Sequence, residues 1–246
     1  MPIGVIVNSL AVLAGGAAGA LLGNKIPEHL RNNLTLIFGV ASMSMGITAI
    51  VKLTYLPAVV FAVIIGTAIG ELVHLEYGIT VVAKKVQAPI SRIFSGKDSD
   101  MSQEEFMQKL VSIVVLFCAS GTGIFGALQA GMTGDHTILF SKSILDFFTA
   151  AIFAASLGYI TCTVCVPQFV VLVLLFFSAS IIMPLTNKEM LSDFTACGGI
   201  LMLATGLRIS GIKSFPIANM LPAMVLVMPF SYFWSHVIMS LLYAYG

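Results

Sequence analysis

The 246-residue chain is 58% hydrophobic and 9% charged, with a formal net charge of +1 and a mean hydropathy of +1.02. A water-soluble domain carries about 25% charged residues, so the composition excludes a water-coated globule and leaves the lipid bilayer as solvent. The few charges are spread out rather than gathered into a basic patch, which excludes nucleic acid as a partner.

The first apolar run, Gly4 to Gly23, has no Lys or Arg before it. It lacks the basic n-region of a cleaved signal peptide and reads as a retained helix. Leu34 to Val51 and Leu56 to Val73 follow. After a hydrophilic stretch come Leu110 to Met132, Ile138 to Val164, Phe169 to Leu185, Thr195 to Ile212 and Met220 to Tyr243. Each run suits a hydrocarbon core of about 30 Å, which predicts an all-α, polytopic bundle of about eight spans. The weakest boundary is Val164 to Phe169, where only Cys165, Val166, Pro167 and Gln168 separate two runs. The whole chain, 1–246, is expected to form a single transmembrane domain.

The hydrophilic stretch, 74–109, repeats Leu75, Ile79, Val82, Val86, Ile90 and Ile93 at helical spacing, with Lys84, Lys85 and Arg92 between them. That pattern predicts an interfacial helix. Gly96 to Asp100 reads as a linker, and Ser102 with Glu105 has capping-box spacing. With this segment in the cytoplasm, Lys25, Arg31, Lys84, Lys85, Arg92, Lys97, Lys109, Arg208 and Lys213 fall on or near that side. Lys52, Lys142 and Lys188 fall on the other, so the bias satisfies the positive-inside rule and places both termini outside.

Two stretches resemble each other. Gly39, Gly46, Lys52 and Leu56-Pro57-Ala58 recur as Gly199, Gly206, Lys213 and Leu221-Pro222-Ala223. The copies, within 34–73 and 195–243, are an odd number of spans apart and so cross in opposite senses. This is the pattern of an inverted-topology repeat, common among secondary transporters.

The residues able to carry chemistry cluster between Ser120 and Asp146. Gly121, Gly123, Gly126 and Gly131, with Ser120 and Thr122, allow close packing or a helix break that exposes backbone dipoles. Lys142 and Asp146 share one helical face, with Asp146 about 12 Å into its run. A charge at that depth suggests a functional site, or else a structural ion pair. Asn8, Ser9, Ser42 and Ser44 could line a polar path or bond helix to helix. Arg208 could hold an anion or reach lipid headgroups. Asp135 and His136 read as solvated turn residues. Gly15, Gly19 and Gly23, and likewise Gly66 and Gly70, form G-x-x-x-G ladders for contacts within the chain or across a homodimer. Cys162 and Cys165 have a C-x-x-C spacing, but no second pair completes a metal site, and free cysteine packs as a small hydrophobe. No Walker A loop, H-E-x-x-H or G-x-S-x-G occurs, so nothing marks an enzyme, and neither a cofactor nor a metal is expected.

The stretches SGTGIFGALQAGMTGD, KSILDFFTA and LMLATGLRISGIKSFPIANMLPA, with NSLAVLAGGAAGALLG and FGVASMSMGI, resemble the YqgA-like family of bacterial inner-membrane proteins, a domain-of-unknown-function family. The resemblance implies a multipass membrane protein and brings no substrate or catalytic residue with it. The residues themselves favour a transporter or channel for a small solute or ion, whose path would use Asn8, Ser120, Gly121, Thr122, Gly123, Lys142, Asp146 and Arg208. The alternative is a non-transporting scaffold or sensor that docks a partner through the cytoplasmic segment.

Overall fold

The computed structural model describes residues 1–22, 27–94 and 103–241. Gly23 of the first glycine ladder, the Gly96–Asp100 linker and Ser102 of the capping box lie outside them. So do the side chains of Val86, Ile90, Arg92 and Ile93. Among the described residues every regular element is helical. In chain order these are α1 (Ile3–Leu22), α2 (Glu28–Ile50), α3 (Leu56–Leu72), α4 (Leu75–Phe94), α5 (Gln103–Cys118), α6 (Gly121–Thr133), α7 (Thr137–Leu157), α8 (Cys165–Ile182), α9 (Lys188–Ile209), α10 (Ile217–Met220) and α11 (Pro222–Phe233). A 3-10 segment, Gly158–Val164, joins α7 to α8. Backbone polar groups find no water in a bilayer, so helices that satisfy them internally are the expected solution.

Six helical stretches are long and apolar enough to cross a membrane, or seven when the bent pair Leu56–Leu72 and Leu75–Val82 counts as one. The 43-residue stretch Thr137–Ala179 doubles back on itself. His136 stacks near Phe176, Leu139 packs in one cluster with Leu172, and Asp146 meets Gln168. Gly158, with φ 72°, ends α7, and the 3-10 segment begins the return. Large apolar side chains such as Leu10, Ile64, Ile144 and Leu174 stand more than half exposed. An exposed surface of that kind is satisfied by lipid tails, not by water.

The chain forms two compact units: Met1–Ile37 with Tyr77–Ala179, and Phe38–Glu76 with Ser180–Gly246. In the first unit, α1 lies against α7 through its small residues. A methyl group added at Gly15 would overlap the Phe147 carbonyl, and one at Gly19 the Ala151 carbonyl. Both numbers rise together, so α1 and α7 run parallel. In lipid the hydrophobic effect does not press helices together, and close van der Waals packing of this kind does the work.

In the second unit, Gly39 faces Gly206 and Gly46 faces Gly199, each against the other's backbone. The rising and falling numbers make α2 and α9 antiparallel. Gly66 meets Ala223 and Gly70 meets Asn219, so α3 runs antiparallel to the α10–α11 stretch. Both G-x-x-x-G ladders, in their described residues, are therefore used within the chain. Ser42 donates from α2 to the Met202 carbonyl of α9 (3.0 Å), so of its two readings the helix-to-helix bond is the one present. Asp193, fully buried, accepts from the Thr54 and Tyr55 amides (2.8 and 2.9 Å) and from Ser231 (2.7 Å). It holds the α2–α3 turn, whose N-terminal amides have no cap of their own.

Where α3 meets α4, His74 adopts a left-handed φ of 51°, which costs a non-glycine residue about 1–2 kcal/mol. The bend of 56° there delivers Glu76 to its partners. Arg208 donates to Glu76 Oε1 (2.8 Å), the Ala218 amide to Glu76 Oε2 (3.3 Å), and the Glu76 amide to Asn219 Oδ1 (2.7 Å).

The close glycine contacts generate a direct expectation. Gly19→Leu or Gly199→Leu should force its helix pair apart and lower the melting temperature in detergent, at a cost of about 1–3 kcal/mol or more. Gly78 has open space around it, so Gly78→Ala should leave the melting temperature unchanged or raise it slightly. Equal melting for Gly199→Leu and wild type would show that the α2–α9 contact is not close.

Candidate functional site

The first unit encloses a cluster of polar side chains on three helices. Its centre is Asp146 of α7, 6% exposed. Lys142, one turn earlier and 3% exposed, donates to Asp146 Oδ2 at 2.5 Å. Asn8 of α1 donates through Nδ2 to the same oxygen at 2.8 Å. Gln168 of α8 donates through Nε2 to that oxygen at 2.9 Å and to Asn8 Oδ1 at 2.8 Å. Asn8 and Gln168 are completely buried. Charge-assisted bonds of this length are the strong class, and the low dielectric of a membrane interior strengthens them further.

Local sequence explains how each group arrives. Gly4, Asn8, Gly15 and Gly19 share the face of α1 that meets α7, so the small residues that bring the helices together also carry the Asn8 amide to Asp146. The i, i+4 spacing aligns Lys142 with Asp146. The reversal through Gly158–Val164 brings α8 back antiparallel to α7 and sets Gln168 opposite both.

A helix break lies beside the pair. α5 ends at Cys118 and α6 begins at Gly121, within a single apolar stretch, Ile113–Thr133. Ser120 caps α6 by accepting from the Gly123 amide (3.1 Å), the usual role of serine at a helix start. Lys142 crosses this break. A methyl group at Gly123 would come within 2.8 Å of Lys142 Cε, so glycine there makes room for the lysine. The ammonium lies 5.7 Å from the centre of the Phe117 ring. Ser120, Gly121, Thr122 and Gly123 are all buried at this point.

The structure thus brings together Asn8, Lys142 and Asp146, with the Ser120–Gly123 break alongside. Arg208 belongs to the other unit, where Glu76 and the Phe215 carbonyl (3.2 Å) hold it. Gln168 was missed by the sequence reading, which placed it in a short connection between two apolar runs. Its one signal was a lone carboxamide beside Pro167 within a long apolar region. Its Oε1 is buried with no hydrogen-bond partner. His136, expected to be a solvated turn residue, is half-buried between Phe140 and Phe176, because the hairpin folds Phe176 back over it. Cys162 and Cys165 are free thiols, and Cys162 donates to the Leu13 carbonyl (3.7 Å). Among the described residues no group of three His, Cys, Asp or Glu side chains could hold a metal ion.

Apolar helices with lipid-facing side chains and a buried polar centre define a multi-pass membrane protein. The chain belongs to the family described as "Protein of unknown function (DUF554)", which matches residues 3–232. It is 49% identical over 235 residues to the uncharacterized protein YqgA of Escherichia coli K12, covering 96% of this chain and 98% of that one. It is 26% identical over 229 residues to the uncharacterized membrane protein YdfK of Bacillus subtilis 168, covering 91% and 93%. No solved structure matches it.

The cluster can be dissected by its charges. Asp146→Asn leaves the Lys142 ammonium buried without its counter-ion and should destabilise the fold by about 3–5 kcal/mol. The double variant Lys142→Met with Asp146→Leu should recover much of that loss, read as melting temperature in detergent. A single variant as stable as wild type would mean that the pair is not buried.

Proposed function

We propose that this protein is a transporter or channel of the bacterial inner membrane for a small solute or ion, and that the Asn8–Lys142–Asp146–Gln168 cluster lies on its path. The observation that carries the reading is the burial of that cluster beside a helix break. Ionisable groups are rare inside membrane spans and mark substrate or proton pathways there. A purely structural bundle is held as well by apolar packing as by a buried ion pair, so stability alone does not account for these residues. Broken helices at depth recur where transporters bind substrate.

Helix directions support an eight-span topology and an inverted repeat over 34–73 and 195–243. In the first unit α1 and α7 run parallel and α8 returns, as alternate crossings require. In the second, the two glycine-bearing copies are antiparallel and face each other through the glycines that match in sequence. The helical build supports the inner membrane, since bacterial outer-membrane spans are β-strands, and the Lys and Arg bias supports the orientation.

Topology has its own check. A reporter fused within residues 96–100 should be cytoplasmic, and one fused after Gly246 should lie outside. Cytoplasmic location of both would remove the eight-span count.

The transport reading is tested by reconstituting wild type and the Lys142→Met/Asp146→Leu variant in liposomes, then measuring flux over a panel of ions and small metabolites. Wild type should move at least one of them. The double variant, folded as judged by its melting curve, should lose that flux by about tenfold or more. Equal flux, or none above empty liposomes for either protein, would refute the reading.

A further inference from the structure

The geometry points to a binding site for a small alkali-metal cation at Asp146, with Asn8 and Gln168 as neutral oxygen ligands and the Lys142 ammonium standing in the cation's place. This deepens the transport reading and rests on it for its use, although binding is measured separately.

Asp146 Oδ2 accepts from three donors, and one of them is itself a monovalent cation 2.5 Å away. The site already holds a single positive charge against that oxygen. The other two donors are carboxamides, the side chains able to exchange a donor for an acceptor by half a turn. Gln168 is fully buried and its Oε1 has no partner. Turned over, its oxygen would take the place now held by Nε2, which lies 2.9 Å from Asp146 Oδ2 and 2.8 Å from Asn8 Oδ1. One carboxylate and two amide oxygens then converge, which is the hard-oxygen set that suits a small hard cation. In the present arrangement the same turn would set three oxygens against one another, so the orphaned oxygen marks what is missing from the set.

A displaced ammonium has somewhere to go without losing its charge. α5 ends at Cys118, so the carbonyls of its last turn form the negative end of a helix and favour a cation. The ring of Phe117, on that same turn, offers its face at 5.7 Å from Nζ. A short withdrawal of Lys142 across Gly123 would leave Asp146 to the incoming ion. Lys142 is thus a tethered competitor that keeps the carboxylate neutralised when the site is otherwise empty. An anion fits this centre poorly, since it would meet a carboxylate and an unpartnered carbonyl oxygen.

The test is thermal unfolding in detergent in the chlorides of lithium, sodium, potassium and choline at equal ionic strength. At least one alkali cation should raise the melting temperature of wild type above its value in choline, with saturation. Removing the competitor in Lys142→Met should lower the half-saturating concentration by about tenfold or more. Adding Gln168→Leu to Lys142→Met should weaken the effect, and the Lys142→Met/Asp146→Leu variant should show none. Folding of Lys142→Met only in an alkali salt would support the site equally. Should that variant fold in no salt, wild type against the double variant decides. Equal melting in all four salts, or a cation effect that survives in the double variant, overturns the proposal. Liposome flux of another solute, intact while every cation effect is absent, would remove the cation and leave the transport reading standing.

Discussion

A charge inside a membrane protein must be matched by the protein itself. Asp146 is the strongest instance here, and much of the first unit is arranged to satisfy it. Its Oδ2 collects an ammonium from its own helix, an amide from α1 and another from the returning hairpin strand of chain, α8. The two amides fix α1 and α8 relative to α7, so the cluster sets helix register as well as charge balance. The apolar contacts around it, among them Val5, Leu139 and Leu172, have no directional preference of their own, and the polar bonds supply it.

Small residues make this possible. Gly15 and Gly19 let α1 approach α7 until backbone meets backbone, and Asn8 then reaches the carboxylate. Gly123 leaves room for the Lys142 stem at the α5–α6 break. In the second unit glycines do a different task. Gly39, Gly46, Gly199 and Gly206 form a reciprocal seam between α2 and α9, and polar anchors tie down the turns. Asp193 holds the α2–α3 turn, and Glu76 joins Arg208 to the start of α10. These anchors also join distant segments, Glu76 and Arg208 lying 132 positions apart, but that ion pair is partly exposed, with side chains 37% and 23% accessible, whereas the Lys142–Asp146 pair is buried, at 4% and 9%. That contrast is the reason for placing function at Asp146 rather than at Arg208.

Composition and run length, by themselves, determined that this is a multi-pass helical membrane protein, because lipid admits few alternatives to apolar helices of a set length. Spacing alone paired Lys142 with Asp146, since residues one turn apart on a helix must be neighbours. The glycines of Ser120 to Gly131 showed that one span could break. Only the tertiary structure decided the rest. A lone Asn in α1 and a lone Gln after a proline carry no mark of a common partner, and it took the close approach of α1 and the reversal at Gly158–Val164 to bring them to one oxygen. The same reversal laid Phe176 over His136, which keeps its place on the turn between α6 and α7. The two glycine ladders could have faced a second copy of the chain, and only packing assigned them to α7 and to the α10–α11 stretch. Local order follows from the period of a helix and the thickness of a bilayer, but which buried polar groups meet depends on contacts between segments far apart in the chain, and those are written in no single stretch of it.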